Sequence, residues 1–236
     1  MAFSGHTVLA VVPARGGSKG IPRKNLARVA GKTLIEHAAQ VVKALPWLDA
    51  AVLSTDDEEI AAEGLRCGLP VPFRRPAELA ADTAGAVEMW RHAWLECERL
   101  HRRKFDLSIL LEPTSPLRKP DDVEQTLSAL VGKGHAAAVT VSRVPAHYAP
   151  EKALLIQQGV IGFTVPGGAR IRQRQQLPAY YHQNGACYAV RRATLVDQGH
   201  LIDHDCAAVI IERPLVNIDE PLDLRLADLI ARDVEQ

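Results

Sequence analysis

VLAVVPARGGSKGIPRKN, residues 8–25, is the stretch from which the fold is read. It opens as an apolar, β-branched run without alternation over 7–12, the pattern of a parallel strand buried on both faces. Pro13 ends the run, and the loop that follows carries Arg15, Lys19, Arg23 and Lys24 among Gly16, Gly17 and Gly20. Glycines admit positive φ and let backbone N–H groups approach an anion, while the cations add charge-assisted hydrogen bonds. The combination suits a triphosphate, although a solvated basic loop closing a strand-to-helix turn has the same composition. It is not a Walker A loop, because Leu26 stands where the glycine five residues before Gly31-Lys32-Thr33 belongs, and no G-x-G-x-x-G occurs.

Outward from this loop the chain alternates. Helical spacing over 33–45 ends before Pro46, a strand follows at 50–53, and Ser54-Thr55-Asp56-Asp57 offers an N-cap for a helix over 58–67. A short strand is expected near 71–74, then a helix over 85–103, a strand at 107–111, a helix over 121–130 and a strand at 136–142. Strand–helix alternation implies right-handed crossovers and a mainly parallel sheet covered on both faces, with ligands at the carboxyl ends of the strands. Over 144–181 the alternation stops. Prolines, a Gly167-Gly168 pair and strand-like pieces at 153–156 and 160–164 suggest an excursion that covers a site or pairs with another subunit. A strand at 208–211 and a helix over 221–234 complete the chain.

Composition narrows the functional classes. The 236 residues are 47% hydrophobic, enough for one domain, and 28 basic residues balance 28 acidic ones. Zero net charge argues against nucleic acid or anionic lipid as a partner, so the basic loop acts locally on a small anion. No run approaches a membrane span and the N-terminus lacks a secretion pattern, which reads as cytoplasmic. The four cysteines have no metal spacing and read as reduced thiols.

Four further stretches carry polar groups. In Glu112-Pro113-Thr114-Ser115-Pro116-Leu117-Arg118 two prolines fix the backbone, so that two hydroxyls and a guanidinium face a site; a capped turn reads the same way. Arg75 and Asp82 fit an Arg–carboxylate pair with a helix cap at Asp82 or Thr83. Asn184-Gly185 is a turn former before an apolar strand. Asp219, in Asn217-Ile218-Asp219-Glu220-Pro221, is either a metal carboxylate or the cap of the last helix.

The string PARGGSKGIPRKN, residues 13–25, resembles the signature loop of the CMP-sialic acid synthetase (acylneuraminate cytidylyltransferase) family, which activates sialic acid and related nonulosonic acids as CMP-sugars. The resemblance implies that the loop wraps CTP, with Ala14, Arg15, Gly16, Gly17, Ser18, Lys19, Lys24 and Asn25 at the nucleotide. RPAEL (75–79) and ADTA (81–84) resemble the segment that meets cytosine and ribose, adding Arg75 and Asp82. By the same resemblance Glu112, Thr114 and Ser115 face the sugar, Glu112 standing where the family usually has glutamine. His147 and Lys152 in HYAPEK, Arg174 in RQQLP, and Asn184 look like further sugar contacts. Asp219 with Asn217, where relatives often have Asp-Ile-Asp, would hold Mg²⁺, and Arg15, Lys19 and Asp219 would carry catalysis.

The fold implied is a doubly wound, mainly parallel, Rossmann-like α/β nucleotidyltransferase domain over 1–236, its excursion at 144–181 a dimerisation lobe of a homodimer. The reaction implied is transfer of CMP from CTP to the anomeric oxygen of a nonulosonic acid of sialic, legionaminic or pseudaminic type, with release of pyrophosphate. Glu112 and Asn217 keep two alternatives open: an octulosonate or other sugar nucleotidyltransferase, and a CTP sensor without turnover.

Overall fold

A computed structural model describes residues 3–167, 177–202 and 205–234. Its centre is a six-stranded sheet. The first strand, β1 (Val8–Pro13), is flanked by two parallel neighbours, β4 (Ala50–Ser54) and β5 (Leu107–Leu110). Between β1 and β4 lie the small hairpin β2 (Arg28–Val29) and β3 (Lys32–Thr33) and the helix α1 (Leu34–Lys43). The helices α2 (Glu58–Arg66) and α3 (Ala86–His101) both lie between β4 and β5, and α4 (Pro120–Gly132) lies between β5 and the next strand. Local chemistry sets their starts: Thr33 Oγ1 accepts from Glu36 N, and Asp57 Oδ1 accepts from Glu59 N and Ile60 N.

The second half adds β6 (Ala137–Arg143), a separate hairpin of β7 (Leu154–Gln157) and β8 (Val160–Phe163), then β9 (Tyr181–Arg191), β10 (Cys206–Ile210) and α5 (Pro221–Val234). Sheet order is β10-β6-β9-β5-β1-β4. β10 pairs parallel with β6, whereas β9 runs antiparallel between β6 and β5. The reversal has a simple cause. The excursion leaves from the carboxyl end of β6 and returns beside it, so the next strand must run back along the sheet.

Helices cover both faces. On one, α1, α2 and α4 bury Ile35, Ile60, Val123 and Leu127 against Val8, Ala10 and Val12; on the other, α3 buries Trp90 and Trp94 against Leu9 and Val11. Fully burying side chains of this size contributes roughly 1.5–3 kcal/mol each. Trp90 Nε1 also donates to Ser108 Oγ at 2.8 Å, so its one polar atom is satisfied inside the core.

Two expectations are corrected. No strand forms at 71–74, because Pro70 and Pro72 lack the donors a ladder needs; only Leu53 N to Pro70 O and Arg75 N to Thr55 O tie the segment to the end of β4. Asn184-Gly185 is not a turn. It lies inside β9, where the register against β6 shifts between Val139 and Val141, and Gly185 takes φ +71° in this bulge.

Candidate functional site

β1, β4 and β5 run parallel, so their carboxyl ends lie together, and a cavity of about 460 Å³ opens beside them. Of the residues singled out in the sequence, Arg15, Ser18, Lys19, Lys24, Asn25 and Arg75 line it. Asp82, Glu112, Thr114, Asn217 and Asp219 line it as well. Positions 15 and 219 are thus brought together although two hundred residues of chain separate them.

The loop is braced at several points. Asn25, 5% exposed, donates from Nδ2 to Arg15 O at 3.0 Å, and Gly16 N donates to Asp56 Oδ1 at 3.1 Å. Ala14 is buried and donates its N–H to Ser54 O. Gly20 passes so close to the last carboxylate segment that a Cβ on it would lie 2.5 Å from Asp219 O. That segment is tied down in turn by Ile218 N, which donates to Thr114 O at 2.8 Å.

The cations are matched with acids of the same cavity. Arg15 Nη1 lies 2.9 Å from Asp82 Oδ1 and Lys19 Nζ lies 2.6 Å from Asp82 Oδ2. The hydrogen bond from Lys19 holds the Asp82 carboxyl below its usual range, Arg15 adding to the effect. Lys24 Nζ donates to Asp219 Oδ1 and to Ile218 O, both at 2.9 Å. Arg23 differs from the other loop cations: it pairs with Glu59, takes φ +55°, and does not line the cavity.

Arg75 is buried at the cavity wall, bonded from Nε to Ser54 Oγ and from Nη2 to Ser54 O, and burial pushes its guanidinium down to about 10. Glu112 faces the cavity from the end of β5. Burial raises its carboxyl pKa and Asp219 adds to that, while Arg118 and Lys24 pull the other way. Gly185 leaves room for it, since a Cβ there would lie 2.8 Å from Glu112 Oε2 and 2.7 Å from Ser115 Oγ.

Other expected site groups turn inward. In the Pro-Thr-Ser-Pro-Leu-Arg turn only Thr114 reaches the cavity with a polar side chain. Ser115 is 1% exposed and donates to Asn184 O. Arg118 is 5% exposed and donates to the carbonyls of Ala186, Glu112 and Gly185; burial lowers it to about 10. The expectation that this guanidinium faces the site is therefore corrected: it clamps the site from beneath. Asn184 is also a brace, with Oδ1 accepting from Thr140 Oγ1 and Ala186 N and Nδ2 donating to Ser142 Oγ.

Gly17 is outside the cavity lining, as are His147 and Lys152, which sit in the excursion where His147 packs on Tyr148. Arg174 lies outside the described residues. The sequence reading missed Asp56 as the acceptor for the loop backbone, and Met89, Leu110 and Pro113 as apolar wall. The helix expected over 85–103 included Met89, but that reading did not place it at the cavity.

Among the described residues, Glu36, Glu63 and Cys67 bring three possible ligand atoms within 4.8 Å of one another. Arg66 already binds both glutamates, and its hydrogen bond to Glu63 is the main cause holding that carboxyl down at about 2. The cluster is an ion-pair network, and none of its members lines the cavity. Among the described residues no helix is long and apolar enough to cross a membrane.

Comparison with known proteins extends this picture. The chain is 28% identical over 228 residues to post-translational flagellin modification protein B of Campylobacter coli, covering 96% of this chain and 95% of that protein. It is 27% identical to pseudaminic acid cytidylyltransferase of Campylobacter jejuni (serotype O:2), covering 94% and 95%. Among solved structures, a CMP:2-keto-3-deoxy-manno-octonic acid synthetase complexed with CTP superposes with a TM-score of 0.69 at 18% identity, over 96% of this chain and 99% of that one. Residues 9–153 match the family described as Cytidylyltransferase, and they contain the basic loop, Arg75, Asp82 and the Glu112 turn; the chain belongs to the cytidylyltransferase family.

Proposed function

We propose that the protein transfers CMP from CTP to the anomeric oxygen of a nonulosonic acid, of sialic, legionaminic or pseudaminic type, and releases pyrophosphate. The observation that carries this reading is one cavity holding Arg15, Lys19 and Lys24 from the strand-to-helix loop opposite Asp219. The pseudaminic acid cytidylyltransferase relative, matched over nearly its whole length, supports the choice of acceptor.

In the proposed mechanism the anomeric oxygen attacks the α-phosphorus in line, the bond to the bridging oxygen breaks, and pyrophosphate leaves. The attacking hydroxyl gives up its proton to solvent water, and no covalent enzyme intermediate forms. Arg15, Lys19 and Lys24 offset charge on the phosphates, and the braced loop backbone, with Gly16, Gly17, Ser18 and Ala14, fixes the nucleotide. Asn25 acts by holding Arg15 O, and Arg75 stands at the base and ribose. Glu112 and Thr114 face the sugar, with Ser115 and Asn184 shaping that wall from behind. His147, Lys152 and Arg174 are assigned to the sugar carboxylate.

Asp219 is 71% exposed at the cavity mouth beside Asn217, and one carboxylate, an amide oxygen, phosphates and water make a donor set that suits Mg²⁺. Bound there, Mg²⁺ would offset phosphate charge and orient the α-phosphate. Lys24 donates to both Asp219 Oδ1 and Ile218 O, so it would keep the second bond if Asp219 turned to the ion.

We read the chain as one cytoplasmic cytidylyltransferase domain, with 144–181 as the lobe that joins a homodimer. The β7–β8 hairpin supports the lobe. It exposes Leu155, Ile156, Val160 and Ile161 at 52–72%, and a two-stranded hairpin is marginal alone in water.

The deciding experiment is pyrophosphate release with each of the four nucleoside triphosphates against sialic, legionaminic, pseudaminic and octulosonic acids, with and without Mg²⁺. Release with CTP and a nonulosonic acid is expected. Release only with the octulosonate would move the assignment to that sugar, and CTP binding without release would make the protein a sensor.

Gly20→Ala provides a sharper geometric test. The new Cβ would meet a backbone oxygen that cannot swing aside, so the loop must shift relative to Asp219. We expect kcat/KM to fall by about 100-fold, as for a misplacement near 1 Å, with the circular dichroism spectrum unchanged. Wild-type kinetics in this variant would refute the close fit of loop and carboxylate segment.

A further inference from the structure

Asp82 is an anion already seated on two of the cavity's cations, with Oδ1 on Arg15 and Oδ2 on Lys19 at 2.9 and 2.6 Å. If the cavity binds a polyphosphate, the substrate needs the same two cations before the reaction and pyrophosphate keeps them afterwards. A carboxylate and a phosphate are both negative, so closely packed on one guanidinium and one ammonium they repel, and occupancy by one opposes the other.

We propose that Asp82 is an internal counter-anion that competes with pyrophosphate for Arg15 and Lys19, and thereby hastens release of the product. This rests on the cytidylyltransferase reading of the cavity. The position of Asp82 fits such an exchange. It lies in the irregular segment between the turn Ala77–Leu79 and α3, with neighbours Ala81 and Thr83 also exposed, so its carboxylate can leave the cations without opening the core. Arg15 Nη1 retains a longer contact to Ala80 O at 3.4 Å, which keeps that guanidinium over the cavity when Asp82 departs. Asp219, by contrast, is bonded to Lys24 on the other end of the loop, so the two acids serve different cations.

The sign of the effect separates this role from direct nucleotide binding. As a ligand of CTP, Asp82 would strengthen binding; as a competitor it weakens binding and speeds departure. Where product release limits turnover, as in many enzymes, the second effect raises kcat.

The test is calorimetric binding of inorganic pyrophosphate to the wild-type protein, Asp82→Asn, Lys19→Ala and the Lys19→Ala/Asp82→Asn double variant, with product inhibition by pyrophosphate as a kinetic counterpart. Asp82→Asn is expected to bind pyrophosphate about tenfold more tightly, the combined effect of two exposed ion pairs, with a smaller gain at high salt and in the Lys19→Ala background. Unchanged or weaker pyrophosphate binding by Asp82→Asn overturns the inference and leaves the catalytic reading intact. Absence of both pyrophosphate and CTP binding in the wild-type protein overturns the catalytic reading, and the inference with it.

Discussion

Asp219→Asn is expected to lower turnover by on the order of 10²–10³-fold while the melting temperature stays within a degree or two of the wild-type value. The loss follows from the charge. Asp219 is the cavity carboxylate that pairs with Lys24 at 2.9 Å, and Asn217 beside it brings no charge, so the substitution removes the anion on which the proposed Mg²⁺ site depends. A metal that stabilises developing phosphate charge is worth several kcal/mol, which sets the scale. Stability changes little because the Asp219 side chain is itself 71% exposed, and half-buried Lys24 keeps its bond to Ile218 O. Binding of Mn²⁺ in the presence of CTP, read by electron paramagnetic resonance, supplies a measure independent of turnover. Full activity with undiminished Mn²⁺ binding would remove Asp219 from the site.

Arg118→Met is expected to act on the opposite quantity, destabilising the fold by about 3 kcal/mol as read from the urea midpoint. The guanidinium is buried and serves the carbonyls of Glu112, Gly185 and Ala186, so methionine fills the space but takes that donor from all three, and only Glu112 O keeps the Ser115 N–H as a partner among the bonds described. Each acceptor left without a donor costs roughly 1–3 kcal/mol, part of which the better burial of methionine returns. Arg118→Lys should fall between, because one ammonium on a flexible stem cannot reproduce a planar fork reaching two strands. A midpoint unchanged in Arg118→Met would show that the carbonyls find other partners.

These two residues illustrate how far the sequence could be read. Asp219 was legible in the sequence as either a metal carboxylate or the cap of the last helix, and the fold puts it in the cavity with the loop cations. Arg118 was legible only as a cation in a rigid turn. Whether it pointed to substrate or to carbonyls depended on the bulge at Asn184-Gly185, nearly seventy residues later, which reads in sequence as a turn. Arg23 failed for a related reason: charge and spacing placed it with Arg15, Lys19 and Lys24, but its left-handed backbone carries the side chain to Glu59 on α2. The strand expected at 71–74 failed on local grounds that were readable, since Pro70 and Pro72 remove its donors.

By itself the sequence determined the layered architecture and the loop. Unbroken β-branched runs can be satisfied only by strands covered on both faces, capped apolar periodicities only by helices that cover them, and glycines with cations after a strand only by a tight basic turn. Tertiary structure decided which acid neutralises which cation and which polar groups face the cavity. The antiparallel course of β9, the inward turn of Ser115, Arg118 and Asn184, and the pairing of Lys24 with Asp219 all join residues distant in the chain. Local periodicity encodes which face of an element is apolar, but a buried polar group takes whatever partner packing brings within 3 Å, and that is settled only when the elements meet.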